Sequence, residues 1–425
     1  MKRLWLAIVV AVGAFLGGAA FAQGVTVHIS CGAVGNELTL CKNEAQAWAD
    51  KTGNQVVVVS TPNSSTDRLA LYQQQLGAQS DSIDVYQIDV VWPGILGSYF
   101  VDLSQYFSQN DLSPYIAALV NNDQYEGKQV AVPWFNDAGL LYYRTDLLQK
   151  YGFDGPPTTW TELTQMAQKI QGGERAAGNS KFWGYVWQGN AYEGLTCDAL
   201  EWVYSYGGGT IVDSKGDITI NNDKAAAAIN MAAGWVGTIS PPGVTSYTEE
   251  ESRGVWQAGN AAFMRNWPYA YNLGNSADSP IKGNFDVAAL PKANTSDGQN
   301  AATLGGWQLA VSRFSKHQAE AADLVKYLTS ADVERERAIQ GSFLPSRLPL
   351  YDDPQIEQQN PFIHKLKPVF ANAVARPATA TKQKYNQVSS AFWTAVHNVL
   401  SGQAQPSSAL AGLDQQLQRI KGTGW

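Results

Sequence analysis

Three short apolar runs, separated by more polar segments, dominate the first part of the chain. Their length and their content of Val and Ile are typical of buried strands, which we predict at 25–30, 55–60 and 83–88. Between them, apolar residues recur at helical spacing over 35–50, where Gly53 follows as a natural end, and a second helix is predicted from Ser65 onward. This order predicts an α/β fold with a doubly wound, mainly parallel sheet, in which ligands bind at the carboxyl ends of the strands.

The pattern changes after Gly139, where helical spacing predominates and turns rich in Gly and Pro separate the elements. Helices are predicted at 160–171, 192–206 and 224–235. Two further strands are predicted at 285–290 and 308–311, and further helices at 318–329, 331–340, 362–373 and 384–400. We interpret this part as a second α/β lobe from which the chain crosses back to the first, and we expect each lobe to have a mainly parallel sheet flanked by helices.

The first 22 residues have the pattern of a cleaved secretory signal. Lys2 and Arg3 precede an apolar run that ends at Leu16, and Ala20 and Ala22 form an A-x-A cleavage site. A membrane anchor is the alternative, but the apolar run is short for a spanning helix and no charged stop follows it. We therefore expect export to the periplasm.

Removal of this signal would leave a mature chain of 425 − 22 = 403 residues, which is too long for one compact core. Two lobes joined by crossover segments are the expected organisation. We assign 23–134 plus 291–344 to an N-terminal lobe and 135–290 plus 345–425 to a C-terminal lobe.

Charge and composition exclude several classes of function. The net charge of −7 and the lack of a Lys/Arg cluster argue against nucleic acid or an anionic membrane as a partner, since both require a basic face. The sequence shows no metal-type Cys/His spacing, no phosphate-binding glycine loop and no Ser or Cys elbow near its four histidines. We expect no cofactor, and nucleotide hydrolysis would have to come from another polypeptide.

Three cysteines, Cys31, Cys41 and Cys197, allow at most one internal disulfide in an exported chain. Cys31 ends the first predicted strand and Cys41 lies early in the helix that follows, so these two are the favoured pair. Three buried free thiols are the alternative.

Candidate ligand-binding residues stand where aromatic and hydrogen-bonding groups are neighbours at the ends of predicted elements. Such segments lie at 134–137, 266–269, 305–307 and 376–377. A carboxylate accepts hydrogen bonds from hydroxyls while an aromatic ring covers the apolar C–H face of a sugar. The segments therefore predict a site for a neutral polyhydroxy ligand, although ordinary core packing would also explain each aromatic residue taken alone.

Together and in this order, the motifs resemble the extracellular solute-binding proteins of ABC sugar importers. PWFND at 133–137, YYR at 142–144 and PPTTW at 156–160 carry the likeness, and MRNWPY at 264–269 with GGW at 305–307 resembles the trehalose/maltose (α-glucoside) branch. The resemblance implies a two-lobed periplasmic-binding-protein fold and a protein that is not an enzyme. It also implies a monomer whose partners are a small-molecule sugar and the permease subunits of the transporter.

The resemblance further implies roles for single residues. The charged groups expected to bind hydroxyls are Glu37, Arg68, Asp89, Asp137 and Arg376. The aromatic platforms for sugar rings are Trp267, Tyr269 and Trp307, with Tyr192 as a further candidate and Gly306 open to close approach. Related proteins often carry Tyr where this chain has Phe135, so an apolar contact is expected there.

Other interpretations of the same residues stay open. Arg68 could pair with a helix acid, Asp89 could cap a turn and Arg376 could hold a helix end, while an acid such as Glu37 is favourable at any helix start. A secreted glycoside hydrolase with paired carboxylates is the main alternative function, although an acid beside Arg68 or Arg376 would stay ionised and be unsuited to act as a general acid. A peptide, amino acid or polyamine as the solute is the third possibility.

Overall fold

The computed structural model describes residues 24–425, so the predicted signal at 1–22 lies outside the described residues. Its strands are β1 (Thr26–Cys31), β2 (Gln55–Ser60), β3 (Val85–Asp89), β4 (Gln124–Tyr125), β5 (Lys128–Gln129), β6 (Val132–Ala138), β7 (Leu140–Arg144), β8 (Trp183–Val186), β9 (Ala261–Asn266), β10 (Phe285–Ala288), β11 (Leu304–Val311) and β12 (Leu344–Pro345).

The first ten α-helices are α1 (Glu37–Thr52), α2 (Ser65–Gly77), α3 (Pro93–Leu96), α4 (Gln109–Leu112), α5 (Ala117–Asn122), α6 (Thr145–Lys150), α7 (Trp160–Ala176), α8 (Glu193–Ser205), α9 (Asp223–Trp235) and α10 (Glu249–Val255). The others are α11 (Ala270–Gly274), α12 (Gln318–Leu328), α13 (Ala331–Gly341), α14 (Pro354–Gln359), α15 (Pro361–Lys365), α16 (Lys367–Ala371), α17 (Ala378–Thr381), α18 (Tyr385–Leu400) and α19 (Pro406–Lys421).

The N-terminal lobe is built on a six-stranded sheet in the order β12-β6-β11-β3-β1-β2. As predicted, β1 pairs in parallel with both β2 and β3. β11 pairs antiparallel with β3 and β6, and β12 pairs antiparallel with β6. In this register Trp307 lies opposite Asp89 and Gly305 lies opposite Asp137, so residues far apart in sequence meet at one edge of the sheet.

The C-terminal lobe is built on a four-stranded sheet in the order β10-β7-β9-β8. β7 pairs antiparallel with β10 and β9, and β8 pairs in parallel with β9. The prediction that both sheets are mainly parallel was therefore wrong in this detail, and the sheets are mixed. The physical reason is that β7, β10 and β11 lie next to crossovers between the lobes, and a strand that enters from the other lobe has no crossover helix to bring it back parallel.

The longest helices form where the periodicity predicts them. In α1 the side chains of Leu40, Cys41, Ala45 and Trp48 are buried, and α7, α8 and α9 also begin within one residue of their predicted starts. The predicted helix at 362–373 is instead split into α15 and α16, because Pro368 lacks an amide hydrogen and disfavours a helical residue before it. No helix was predicted for α19, although its buried Leu410, Leu413 and Leu417 have helical spacing.

Three stretches of chain connect the lobes. Gly139 alone separates β6 from β7, and the chain returns between β10 and β11. The third stretch leads from β12 to α18, which packs on α8 and α9, and within it Val374 pairs with Thr303 at the end of the second connection. The second and third connections therefore lie side by side. The lobe boundaries assigned from sequence stay a prediction.

A disulfide joins Cys31 at the end of β1 to Cys41 in α1. The bridge encloses the turn that carries Glu37 into the cleft between the lobes, while Cys197 is free and buried. None of the helices within residues 24–425 combines the length and the apolar character that a bilayer-spanning segment needs.

Candidate functional site

A cavity lies between the lobes, and both lobes contribute to its wall. Nine of the eleven residues predicted to bind a ligand line it, namely Glu37, Asp89, Phe135, Asp137, Trp267, Tyr269, Gly306, Trp307 and Arg376. The other two stand behind lining residues: Arg68 lies against the ring of Trp307, and Tyr192 packs against Gly194.

Asp137 presents a carboxylate to the cavity without a protein partner. The residue is 8% exposed, and no group among the described residues donates a hydrogen bond to its side chain. Burial, reinforced by the negative charge of Glu37, raises the pKa of Asp137 well above its ordinary value. A β-carbon at Gly305 would lie 3.0 Å from Asp137 and 3.1 Å from Trp267, so glycine there lets the carboxylate and the indole approach each other.

Two tryptophans on different lobes line the cavity, and an arginine backs each of them. The guanidinium of Arg68 lies 4.2 Å from the ring centre of Trp307 on β11. The guanidinium of Arg265 lies 4.0 Å from the ring centre of Trp267, which follows β9. A cation over one face of an indole is attractive, so these contacts fix the orientation of both rings.

Arg376 joins the two lobes through ion pairs. Its Nη2 donates to Asp89 Oδ1 at 2.8 Å, and its Nη1 donates to Glu193 Oε1 at 2.7 Å. Asp89 ends β3 in the N-terminal lobe, whereas Glu193 begins α8 in the C-terminal lobe. The backbone N–H of Glu193 also donates to Thr66 Oγ1 on α2 at 3.1 Å. Together these contacts hold the two lobes closed over the cavity.

Two consecutive glutamates at the start of α10 hold aromatic side chains of the cavity. The hydroxyl of Tyr269 donates to Glu250 Oε1 at 2.7 Å. The indole N–H of Trp267 donates to Glu249 Oε1 at 3.4 Å, and Glu249 itself lines the cavity. Burial raises the pKa of Glu249, and burial together with the nearby Glu249 raises the pKa of Tyr192 well above its ordinary value.

The N-terminal lobe contributes a polar and an apolar wall. Glu37 is buried, and its Oε1 accepts a hydrogen bond from Gln87 Nε2 at 2.5 Å. Phe135 packs on Phe343 with 4.7 Å between ring centres. Gly306 has a φ of +130°, and a β-carbon there would lie 2.7 Å from the carbonyl oxygen of Phe135. The sheet itself therefore requires glycine at this position, whether or not a ligand approaches it.

Glu193, Glu249 and Phe343 are among the residues of the cavity wall that were not identified from sequence. Glu193 and Glu249 both lie in the first turn of a helix, where acids are favourable for electrostatic reasons alone. Because this explanation was sufficient, their position in the cavity was not predicted. The aromatic Tyr192 next to Glu193 is a pattern that could have indicated it. Phe343 precedes a two-residue strand and offers no local signal.

The site offers hydrogen-bond acceptors and aromatic faces. No group of three or more His, Cys, Asp and Glu side chains in the part of the chain that the structure describes is arranged to hold a metal ion. Cys197 lies in the cavity wall, but burial raises the pKa of its thiol well above its ordinary value, so the thiol is protonated at neutral pH. These features suit recognition of a hydroxyl-rich ligand.

Comparison with known proteins covers almost the whole chain. The family described as bacterial extracellular solute-binding protein matches residues 41–335. A relative from Deinococcus radiodurans, named a probable ABC transporter-binding protein, is 55% identical over 404 residues, which are 95% of this chain and 96% of the relative.

Solved structures share the fold. Maltose-bound MalE3 of T. maritima has a TM-score of 0.88 and 38% identity, with 93% of this chain and 100% of that chain covered. The GacH receptor of Streptomyces glaucescens, solved without ligand and with acarbose, shares the fold with a TM-score of 0.81 at 24% identity, over 93% of this chain and 99% of that chain. The chain therefore belongs to the bacterial extracellular solute-binding proteins and is a solute-binding protein of an ABC transporter.

Proposed function

We propose that this protein captures an α-glucoside disaccharide, such as trehalose, maltose or sucrose, between its lobes and delivers it to the permease of an ABC importer. The observation that carries the proposal is the unpartnered carboxylate of Asp137 beside Trp267, with Trp307 on the same cavity. The structural neighbour with 38% identity was solved with maltose bound, which supports the same class of ligand.

In the proposed complex, the indoles cover the C–H faces of the two glucose units, and the acids accept hydrogen bonds from their hydroxyls. Asp137 gains most from these hydrogen bonds, because it is buried without a donor in the protein and a ligand hydroxyl supplies one. Glu249 is also buried, and its long hydrogen bond from Trp267 leaves it able to accept another from the ligand. Leaving such a buried acceptor unpaired costs about 1–3 kcal/mol, so a sugar that lacks the matching hydroxyl is rejected.

Lobe closure converts occupancy into a change of shape that a permease can recognise. The ion pairs of Arg376 with Asp89 and Glu193 cross the cleft, as does the hydrogen bond from Glu193 to Thr66. We infer that these contacts break when the lobes open by a hinge motion and form when they close on the sugar. The same proposal places the mature protein in the periplasm as a monomer, exported by the signal at 1–22, with the permease subunits as its partners.

Titration calorimetry of the purified mature protein with maltose, trehalose, sucrose and palatinose tests the ligand class. We expect saturable binding of at least one sugar and a rise in melting temperature that grows with its concentration. Absence of heat and of a thermal shift with all four sugars would refute the α-glucoside assignment. Mass spectrometry of ligand that co-purifies with the protein would then identify the class of solute that it does carry.

A separate assay addresses the hydrolase alternative. Incubation of the protein with an aryl α-glucoside should release no phenol above the rate of a sample without protein. Release that disappears in an Asp137→Asn variant would contradict a purely binding role, because this substitution removes an acid without much change in shape.

A further inference from the structure

We propose that Arg265 is a positioning residue, which fixes the Trp267 platform and ties it to the chain connections between the lobes. The inference rests on the proposed function, because it assumes that a sugar ring stacks on Trp267. Arg265 does not line the cavity. It contacts the ring of Trp267 on one side and, on the other, the carboxylate of Glu201, which lies beside the chain connections between the lobes.

The guanidinium of Arg265 is held on every side. Its Nε donates to Glu201 Oε2 at 2.9 Å, and its Nη2 donates to Glu201 Oε1 at 2.5 Å, which makes a bidentate pair. Its Nη1 donates to Gln188 Oε1 at 3.0 Å, and the flat face of the group lies 4.0 Å from the ring centre of Trp267. Arg265 and Glu201 are both 1% exposed, so neither can exchange its partner for water.

Glu201 contacts the connections between the lobes. Its Oε1 accepts a hydrogen bond from the backbone N–H of Thr303 at 3.0 Å, at the end of the second connection. A β-carbon at Gly139, the first connection, would lie 2.0 Å from the same oxygen. Thr303 also pairs with Val374 of the third connection. One carboxylate oxygen therefore lies where all three connections meet.

Two acids approach the guanidinium of Arg265, and one of them makes the bidentate contact. Asp198 Oδ1 lies 3.0 Å from Arg265 Nε, but that nitrogen already donates to Glu201. Burial raises the pKa of Asp198 well above its ordinary value, and burial also raises the pKa of Glu201. Arg265 stays charged, and Glu201 is the acid that holds it through two hydrogen bonds. A shift of the Trp267 ring therefore moves a guanidinium whose bidentate partner also accepts a hydrogen bond from the backbone N–H of Thr303.

A similar stack elsewhere in the C-terminal lobe provides a matched control. The guanidinium of Arg175 lies 4.2 Å from the ring centre of Trp183, and its Nε donates to the carbonyl oxygen of Phe182 at 2.8 Å. This pair contacts neither the cavity nor a connection between the lobes. Arg175→Lys thus removes the same kind of stack without the proposed coupling.

A double-mutant cycle with maltose tests the coupling, using wild type, Arg265→Lys, Trp267→Ala and the double variant. We expect Arg265→Lys to weaken maltose binding at least tenfold when Trp267 is present and less than twofold when it is replaced by alanine. Arg175→Lys should leave the affinity within twofold of wild type. Additive losses in the cycle, or an unchanged affinity in Arg265→Lys, would overturn the proposal.

Hydrogen exchange of the ligand-free protein gives a second readout that needs no sugar. Trp267→Ala should speed exchange of the Thr303 amide several-fold in the wild-type background and leave it unchanged in the Arg265→Lys background. If Trp267→Ala does not alter that exchange, the positioning role is refuted even when maltose binds. If wild type binds no sugar but the exchange behaves as expected, only the proposed ligand class fails. Glu201→Gln replaces Arg265→Lys in both experiments if the lysine variant does not fold.

Discussion

At the scale of single residues, most acidic side chains of the cavity accept hydrogen bonds from the protein, and one does not. Asp89 and Glu193 share the guanidinium of Arg376, and Glu37 has the amide of Gln87. Asp137 has no such donor. When one acidic side chain of a binding site has no donor in the protein and the others do, a ligand hydroxyl binds preferentially to that side chain. The unpaired acid lowers the stability of the ligand-free protein.

Asp137→Asn should therefore stabilise the ligand-free protein at neutral pH and weaken sugar binding. Because burial and Glu37 raise the pKa of Asp137, the folded state keeps this proton at pH values where the unfolded chain has lost it. Stability is then highest below the ordinary pKa and falls as pH rises towards the raised one. Asparagine removes that slope, and we expect a gain of about 1 kcal/mol near pH 7, measured by thermal unfolding between about pH 4 and 8.

The charges around Asp137 allow a control for this pH series. Asp89 acts in the same direction as Glu37, whereas Arg265 and Arg337 oppose it. Asp286→Asn, on β10 outside the cavity, removes an acid without disturbing any of these groups and should leave the pH slope as in wild type. An Asp137→Asn variant with an unchanged slope and unchanged sugar affinity would contradict the role given to this carboxylate.

Trp307→Ala should weaken binding at least tenfold, which corresponds to about 1.4 kcal/mol. The ring lines the cavity, and its loss removes both a stacking surface for the sugar and the face that holds the guanidinium of Arg68. Calorimetry with the preferred sugar measures the change. Trp183→Ala deletes an indole that is also stacked on an arginine but lies outside the cavity, and its affinity should stay within twofold of wild type.

At the scale of elements, the helices and strands that depend on a local sequence pattern could be predicted. β1 to β3 and α1 could be predicted because their periodicity and the signals at their ends lie in neighbouring residues. Asp137 and Trp307, which the motifs marked as candidate ligand-binding residues, line one cavity. The antiparallel pairing of β7 with β9 and β10 could not be predicted, since it depends on which lobe each strand enters from. Glu193 was missed for the same kind of reason, because it reaches the cavity only through the packing of a whole helix across the cleft.

The turn between β1 and α1 shows how one element supports the site. The disulfide between Cys31 and Cys41 closes a loop that carries Glu37 into the cavity. Replacement of both cysteines by serine should lower the free energy of unfolding by about 2–3 kcal/mol, because the unfolded chain regains the freedom of that loop. It should also weaken sugar binding, because the turn that carries Glu37 is then no longer held by a covalent bond.

Chemical denaturation with and without a thiol reductant measures the first effect, and calorimetry measures the second. Cys197→Ser is the control, since Cys197 is a free thiol whose loss leaves the bridge intact. If the reductant changes neither stability nor affinity in wild type, the disulfide has no structural role in solution.

At the scale of the whole molecule, we expect the affinity for the ligand to depend also on contacts between the two lobes in which the ligand takes no part. The hydrogen bond from the backbone N–H of Glu193 to Thr66 joins the first turns of α8 and α2, which belong to opposite lobes. Under the proposed hinge motion this contact forms only when the lobes close, so we expect it to contribute to affinity by favouring closure and to contribute little to the stability of either lobe.

Thr66→Val keeps the shape of the side chain and removes the acceptor oxygen, so it tests this idea directly. Loss of a hydrogen bond worth about 1 kcal/mol in the closed state alone should weaken sugar binding about fivefold. The effect should be found mainly in faster dissociation, which stopped-flow fluorescence can measure, because opening precedes release. The melting temperature without ligand should stay close to that of wild type. Thr245→Val, at a site outside the cavity, should change none of these values. Slower association with unchanged dissociation would instead mean that Thr66 acts before the lobes close, and the closure role of this contact would be wrong.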